Sequence, residues 1–187
     1  MKIYQQIIRP TLVLVLIASL VAAALALTYN LAGVEKVANA GYTPEQLAEY
    51  AAVALPEADN LTQKTVTPST EEMEDSLLYV YTADNGAGTA LVVVSKGYAS
   101  DGITMMVGLD TEGQPVGVKV IKNAETPGIG DKVCANEEFH QQVADTIREG
   151  GEPDVIAGAT KSSNGIIGGV RTAVSIYQTL EKEGALA

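Results

Sequence analysis

Hydrophobic residues are concentrated at the start of the chain. Residues 10–34 contain no charged side chain, and their apolar part approaches the roughly 20 residues that a helix needs to cross a bilayer. Lys2 and Arg9 precede this stretch, so the positive-inside rule places the N-terminus in the cytoplasm. We therefore predict a single-pass protein of the cell membrane, with a cytoplasmic N-terminus at 1–9, a transmembrane helix at 10–29 and the remainder on the extracytoplasmic side.

A cleaved signal peptide is the alternative for this stretch. Ala38-Asn39-Ala40 has the small residues of a cleavage site. However, the apolar run is longer than the about 7–15 residues of a signal peptide's hydrophobic region, and Ala38 lies well beyond it. The pattern favours a retained helix, and whether the span is ever cleaved stays open.

A change to mixed polar and apolar sequence follows the span. Residues 30–42 are predicted to form a tether. Thr43-Pro44-Glu45-Gln46 has a capping threonine, a proline at the first helical position and a glutamine three residues after the cap, which predicts a helix over Pro44–Leu55. Residues 56–75 are polar and show neither helical nor strand periodicity, so a loop is expected there.

Four segments rich in β-branched and aromatic residues follow and predict strands. They lie at 77–83, 89–96, 103–109 and 116–121, and turn residues separate the members of each pair. Because consecutive strands joined by short turns pair antiparallel, we expect a four-stranded, mainly antiparallel sheet.

Two helices complete the pattern. Asn136 is placed to cap a helix that runs through Ile147, and residues 163–180 repeat apolar positions at helical spacing. The fold class is therefore α+β: an N-terminal transmembrane helix, then one domain whose sheet is covered by helices. Residues 43–88 form its N-terminal part, and residues 89–187, to which the resemblance given below assigns cofactor binding, form the rest.

Charge and composition limit the kinds of ligand and cofactor that the chain can bind. The part after residue 34 holds all 23 acidic residues but only ten of the 12 basic ones, so it repels nucleic acid. Cys134 has no partner for an internal disulfide, and with His140 as the single histidine it cannot build an ordinary zinc or iron–sulfur site. Any redox cofactor is therefore organic. His140 is predicted to lie on a helix surface, and Cys134 to be packed or idle.

Two glycine-containing loops depart from what packing alone requires. In the second loop, residues 154–160, Gly158 and Ala159 leave the backbone uncovered and Thr160 presents a hydroxyl. The helix that follows supplies free N–H groups and the positive end of its dipole, which suits a phosphate group.

An ordinary helix start explains the same residues. Gly158 could turn the chain while Ser162 or Ser163 caps the helix. Lys161 could either add a positive charge for a bound anion or be solvated. These alternatives stay open from the residues alone.

The two loops together resemble those of FMN-binding domains. Asp-x-x-Ala-Gly-Ala-Thr at 154–160 is similar to the acceptor site where a dedicated transferase takes FMN from FAD and esterifies its phosphate to the threonine. The first loop, residues 125–130, is similar to the Glu-Thr-Pro-Gly-Leu-Gly stretch of the same domains, with Ile129 in place of leucine. Beyond an N-terminal span, this pair resembles the G subunit of Rnf-type ferredoxin:NAD oxidoreductases and the related C subunit of the Na⁺-translocating NADH:quinone oxidoreductase.

The resemblance implies an electron-transfer subunit with FMN joined covalently to Thr160. It implies partners too: the other membrane subunits of an ion-translocating complex, which would handle NAD and ferredoxin, and an FAD-dependent FMN transferase. The first loop would lie against the isoalloxazine ring. No catalytic or metal site is expected. The implied cofactor-binding residues are Asp154, Gly158, Ala159, Thr160, Lys161, Ser162 and Ser163 in or after the second loop, and Glu125, Thr126, Pro127, Gly128 and Gly130 in the first.

Two rival functions remain. A freestanding membrane-anchored flavin carrier for extracellular electron transfer would use the same two loops without a complex. An anchored structural domain without a cofactor would stay colourless even with the transferase present. The coupling ion, the redox potential, the direction of electron flow and the immediate donor and acceptor cannot be read from the chain.

Overall fold

A computed structural model describes residues 11–19, 21–22 and 41–186, and the chain divides into two compact units after Gly41. In the first unit, residues 11–19 and 21–22 are helical, and their large apolar side chains are exposed. No helix within the described ranges has both the length and the hydropathy that a bilayer crossing requires. Most of the predicted tether, and the part of the predicted span beyond residue 22, lie outside the described residues.

The second unit is built around one antiparallel sheet whose five strands lie side by side in chain order. The strands are β1 (Leu61–Lys64), β2 (Leu77–Ala83), β3 (Thr89–Ser95), β4 (Ile103–Leu109) and β5 (Pro115–Asn123). The helices of this unit are α1 (Pro44–Ala54), α2 (Glu71–Ser76), α3 (Gly130–Cys134), α4 (Glu137–Arg148) and α5 (Thr160–Lys182). The α+β class and the antiparallel sheet covered by helices are confirmed.

Helix α1 covers one face of the sheet. The predicted capping box is present, since the Thr43 hydroxyl accepts from the Gln46 N–H and the Gln46 side chain accepts from the Thr43 N–H. Beneath α1, a small core of strand residues and Ala54 is bordered by three tyrosines. The ring of Tyr42 makes T-shaped, edge-to-face contacts with the rings of Tyr50 and Tyr79.

The opposite face carries the larger core. Alternate residues of β3 and β4, such as Leu91, Met105 and Val107, point to this face, as the period of two in a strand requires. They pack against the apolar stripe of α5, including Ile166 and Val170. This burial fixes α5 along the sheet, and therefore fixes where its N-terminus opens.

The sheet has five strands, not the four predicted. The extra strand, β1, pairs with β2 at the edge of the sheet, within the segment predicted to be a loop. Its sequence Leu-Thr-Gln-Lys lacks the apolar alternation that marks a half-buried strand, and its two central residues are exposed. Helix α2, capped by Thr70, lies in the same segment, and the five-residue α3 was not predicted either.

The long helices agree better with the sequence pattern. Asn136 caps α4 by accepting from the Phe139 N–H at 3.0 Å, as predicted. Helix α5 begins at Thr160, three residues before the predicted start at residue 163. The difference matters because it places the threonine in the first turn of the helix and not in the loop before it.

Candidate functional site

The N-terminus of α5 follows directly from the second loop. Gly158 has a φ of +81°, a conformation that side chains with a Cβ rarely adopt, and it closes a turn in which the Ala159 N–H donates to the Ile156 carbonyl at 3.0 Å. Ala159 is the N-cap and offers no side-chain oxygen to the helix. The backbone, and not a capping side chain, therefore shapes the start of α5.

Free backbone donors lie at this terminus. The Ser163 N–H donates to the Ala159 carbonyl at 2.9 Å, so the N–H groups of Thr160, Lys161 and Ser162 precede the first intrahelical bond. The Thr160 side chain is exposed, whereas Ala159 before it is buried. An exposed hydroxyl beside free N–H groups at the positive end of a 23-residue helix is a suitable place for a phosphate ester.

Neither serine after Thr160 caps the helix, which excludes the capping interpretation of those residues. The buried Ser163 hydroxyl accepts from the Ile156 N–H and donates to the Ala159 carbonyl, both at 3.1 Å, so it fastens the second loop to α5. The buried Ser162 hydroxyl donates to Glu125 Oε2 at 2.5 Å. One serine therefore closes the second loop, and the other connects it to the first.

Glu125 is the centre of the first loop's attachment. Its side chain is 4% exposed, and the carboxylate accepts from the backbone N–H groups of Tyr98 and Ala99 at 3.0 Å as well as from Ser162. Hydrogen bonds from three donors can stabilise a buried negative charge. Glu125 thus joins three separate segments: the connection after β3, the first loop and the start of α5.

The remaining residues of the first loop form a tight exposed turn. The Thr126 carbonyl accepts from the N–H groups of Ile129 and Gly130 at 3.1 Å each, while Pro127 and Gly128 are exposed at the tip. At Gly130, an added Cβ would lie 2.5 Å from Ser162 Oγ and 2.7 Å from Glu125 Oε2. Glycine is required there because the two loops approach each other so closely.

An open cleft of about 430 Å³ lies between the two loops. Five of the predicted residues in or after the second loop and two of the first loop line it. Two further lining residues were not among the predicted cofactor-binding residues: Ile129, which lies within the first motif, and Tyr98, which lies outside both motifs. The lining residues are Tyr98, Thr126, Ile129, Gly130, Gly158, Ala159, Thr160, Lys161 and Ser162. A second open cleft of about 490 Å³ shares Ile129, Gly158 and Ala159 with the first and is bordered by Gly128.

Five predicted residues are not among those that line the first cleft: Asp154, Ser163, Glu125, Pro127 and Gly128. Asp154 is exposed at the start of the second loop and is not among the lining residues of either cleft. Glu125 lies beneath the cleft wall, facing inward. The Lys161 ammonium lies over the Tyr98 ring, 5.3 Å from its centroid. Both residues line the first cleft.

The prediction that His140 lies on the surface is wrong. The side chain is 2% exposed, and Nε2 lies 2.8 Å from the Val133 carbonyl oxygen at the end of α3, so Nε2 carries the proton. Nδ1 is buried without a hydrogen-bond partner among the described residues. Burial lowers the pKa of His140 below 6.5, although the Val133 carbonyl and Glu137 oppose the shift.

Cys134, the last residue of α3, is also buried. Burial raises the pKa of this thiol to about 11, with Glu125 and Asp131 adding to the shift. The thiol is therefore protonated at neutral pH, and it behaves as a small packed side chain, as predicted.

Known proteins share the sequence of this region. The model of the FMN-binding domain family matches residues 97–175, a range that contains both loops and the first cleft. The chain is 30% identical over 195 residues to the G subunit of a Na⁺-translocating ferredoxin:NAD⁺ oxidoreductase complex from Acetobacterium woodii, with 91% of each chain covered.

Two further relatives have the same kind of name. The chain is 29% identical to the G subunit of an ion-translocating oxidoreductase complex from Methanosarcina acetivorans, with 95% of this chain and 97% of the relative covered. It is also 29% identical to the corresponding protein from Vibrio vulnificus, with 72% and 74% covered. The similarity therefore extends well beyond the two loops.

Proposed function

Because the chain belongs to the family of G subunits of ion-translocating oxidoreductase complexes, we propose that it is an electron-transfer subunit carrying FMN bound covalently to Thr160. The predicted resemblance of the chain to FMN-binding domains and to the G subunits is confirmed by these comparisons. The observation that carries the covalent attachment is the exposed Thr160 hydroxyl at the N-terminus of α5, at the edge of a cleft that both loops line.

The residues at the cleft fit FMN. A phosphodiester to Thr160 keeps one negative charge, which the N–H groups at the start of α5 and the helix dipole stabilise. Apolar and backbone surface from Ile129, Gly130 and Gly158 borders the space beyond the hydroxyl, and this surface suits a flat heteroaromatic ring. The acidic domain otherwise repels an anion, so the local donors at this terminus are essential.

Attachment requires a transferase and FAD. The Thr160 oxygen forms a bond to the FMN-side phosphorus of FAD, the pyrophosphate bond breaks, AMP leaves, and the hydroxyl proton is released. The exposure of Thr160 gives an enzyme access to the oxygen. Asp154, exposed at the start of the second loop, is available to the transferase and not to the cleft.

Each loop has its own task in this proposal. The bound flavin supplies reversible transfer of one or two electrons. The second loop, with Gly158, Ala159, Thr160 and Lys161, holds the phosphate end. The first loop forms the opposite wall through Thr126 and Gly130, and Glu125 holds that wall in place from below.

A denaturing gel tests the attachment directly. We expect the full chain, produced together with an FAD-dependent FMN transferase, to be fluorescent after denaturation and to gain the mass of one FMN moiety. Thr160→Ala should lose both signals completely. Thr126→Ala, which removes the other exposed threonine hydroxyl of the same cleft, is the matched control and should remain labelled.

Three results would contradict the proposal. An unlabelled wild-type chain beside a working control acceptor would exclude covalent FMN. A labelled Thr160→Ala variant would exclude the site. Label lost from Thr126→Ala but kept in Thr160→Ala would move the attachment to the first loop.

We also propose that residues 10–29 anchor the domain in the cell membrane, with the N-terminus in the cytoplasm. The large apolar side chains at 12–17 are more than half exposed in the first unit, which is costly in water and favourable in lipid. Lys2 and Arg9 set the orientation. Covalent attachment suits this location because a dissociable flavin would be lost outside the cell.

Protease treatment of intact spheroplasts tests the orientation. We expect external protease to degrade the domain while a tag placed before Met1 stays protected, and alkaline carbonate to leave the chain in the membrane. Protection of the domain would reverse the orientation, and release by carbonate would remove the anchor.

Membership of a complex is the last part of the proposal. The relatives are named as subunits of multi-subunit complexes, and this chain has no nicotinamide-binding fingerprint of its own. Gentle detergent extraction of the tagged chain from its own cell should co-purify multi-span membrane proteins with NAD-dependent activity. Recovery of the flavinylated chain alone would favour the freestanding carrier.

A further inference from the structure

Tyr98 is an exposed aromatic residue at the cleft, outside both loop motifs. Its side chain is 65% exposed, and it is the aromatic residue among those lining the cleft beside Thr160. It lies in the connection between β3 and β4. Aromatic rings are common in the walls of ligand clefts, where they offer a large and rigid contact surface.

The backbone at Tyr98 is rigidly held although its ring is exposed. The Tyr98 N–H donates to Glu125 Oε1 at 3.0 Å and to Oε2 at 3.3 Å, and the neighbouring Ala99 N–H donates to Oε1 at 3.0 Å. The same carboxylate accepts from Ser162, two residues after Thr160. One buried group thus sets the position of the ring relative to the acceptor threonine.

One face of the ring points toward the attachment site. The ammonium of Lys161, the residue after Thr160, lies 5.3 Å from the ring centroid, within the range of a cation–π contact. Such a contact at an exposed position contributes only about 0.5–1 kcal/mol, so a larger planar group can replace the ammonium on that face.

We propose that the Tyr98 ring contacts the isoalloxazine ring of the flavin held on Thr160. This inference rests on the proposed function. Tyr98 forms an aromatic wall of the cleft, Glu125 positions that wall, and Lys161 moves from the Tyr98 face toward the flavin and its diester. Offset stacking of the two ring systems then orients the flavin in a cleft that is otherwise open.

Flavin fluorescence reports this contact. A phenol ring touching an excited flavin donates one electron to it and recovers that electron without emission, so the contact quenches fluorescence. Removal of the ring abolishes the quenching. The signal depends on contact and not on electron-transfer activity of the assembled complex.

The experiment compares full-length flavinylated variants in detergent at equal bound flavin, measured by absorbance after denaturation. We expect Tyr98→Leu to raise the fluorescence quantum yield of the folded protein at least twofold. Tyr50→Leu is the matched control, since Tyr50 packs in the tyrosine group on the opposite face of the sheet, and its fluorescence should equal that of the wild type. After denaturation, all three should emit equally.

The outcomes separate the two proposals. A wild-type chain without flavin contradicts the proposed function, whereas a flavinylated Tyr98→Leu variant with wild-type fluorescence overturns the contact. If Tyr98→Leu takes up no flavin, Tyr98→Phe supplies the comparison, because phenylalanine keeps the ring but is a much poorer electron donor. Brighter fluorescence in Tyr98→Phe supports the contact, and unchanged fluorescence overturns it.

Discussion

The first loop before α3 and the second loop before α5 face each other across the same cleft. The hydrogen bonds that hold the first loop join residues far apart in the chain, whereas those that hold the second join near neighbours. The first loop depends on Glu125, whose partners Tyr98, Ala99 and Ser162 lie 26 to 37 residues away in the chain. The second loop is fastened by Ser163 to groups only four and seven residues away.

This difference means that the two loops should contribute differently to the stability of the domain. A loop held by distant segments keeps its shape only when the whole domain is folded, so substitutions at its anchor lower global stability. A loop held by its own helix is formed locally, and the exposed hydroxyl that it presents contributes little to stability. The site therefore combines a wall fixed by tertiary contacts with an exposed hydroxyl, the proposed acceptor, at a helix start that has no side-chain cap.

The largest loss of stability is expected for Glu125→Ala. It leaves two partly buried N–H groups and one buried hydroxyl without their acceptor, and we expect the free energy of unfolding to fall by about 4 kcal/mol. Urea unfolding followed by near-UV circular dichroism measures the loss.

Glu138→Ala, at an exposed position of α4, is the control and should change stability by less than about 0.5 kcal/mol. A cost below about 1 kcal/mol for Glu125→Ala would mean that the carboxylate does not hold the three segments together.

A smaller effect is expected at the second loop. Ser163→Ala removes the acceptor of the Ile156 N–H and should cost about 1–2 kcal/mol. Ser175→Ala on the exposed side of the same helix controls for helix propensity and should cost less. If Ser163→Ala were as costly as Glu125→Ala, the second loop would depend on the fold as strongly as the first.

The support of the first loop should also respond to pH, because His140 binds the end of α3. Burial depresses the pKa of folded His140, so the unfolded chain binds the additional proton first as pH falls. Stability is therefore full above about 6.5, the ordinary value, and declines as pH falls through the depressed folded value, by at most about 1.4 kcal/mol per pH unit.

Unfolding midpoints of wild type and His140→Gln between pH 7.5 and 5.5 measure this contribution. The wild type should lose more stability than the variant over that interval. Parallel curves for the two proteins would show that His140 makes no pH-dependent contribution to stability.

His140 also shows which structural features could be predicted from the sequence and which could not. It occupies the apolar stripe of α4 with Phe139, Val143 and Ala144, a spacing visible in the sequence, but its polarity and two neighbouring glutamines suggested a surface position. Helical periodicity was the better guide. The tertiary contact that satisfies the imidazole, with the Val133 carbonyl, could not be read from local pattern.

The other features that were not predicted from the sequence also depend on tertiary contacts. Strand β1 is polar and exists because β2 offers it an edge. Tyr98 carried no signal within either motif. The local features, namely the caps of α1 and α4 and the four longer strands, were predictable because neighbouring residues determine them.

The smallest effect on stability is expected at Thr160, where substitution should have the largest effect on flavin attachment. Thr160 is exposed at the first position of α5, its side chain forms no cap, and alanine has the higher helix propensity, so Thr160→Ala should change the free energy of unfolding by less than about 0.5 kcal/mol. The comparison must use protein made without the transferase, because attached flavin would itself add contacts in the wild type. Thr89→Ala, at a buried strand threonine, is the contrasting variant and should cost more. A loss above about 1 kcal/mol in unflavinylated Thr160→Ala would show that the hydroxyl supports the helix start, and the absence of flavin from that variant could then reflect misfolding and not the missing acceptor.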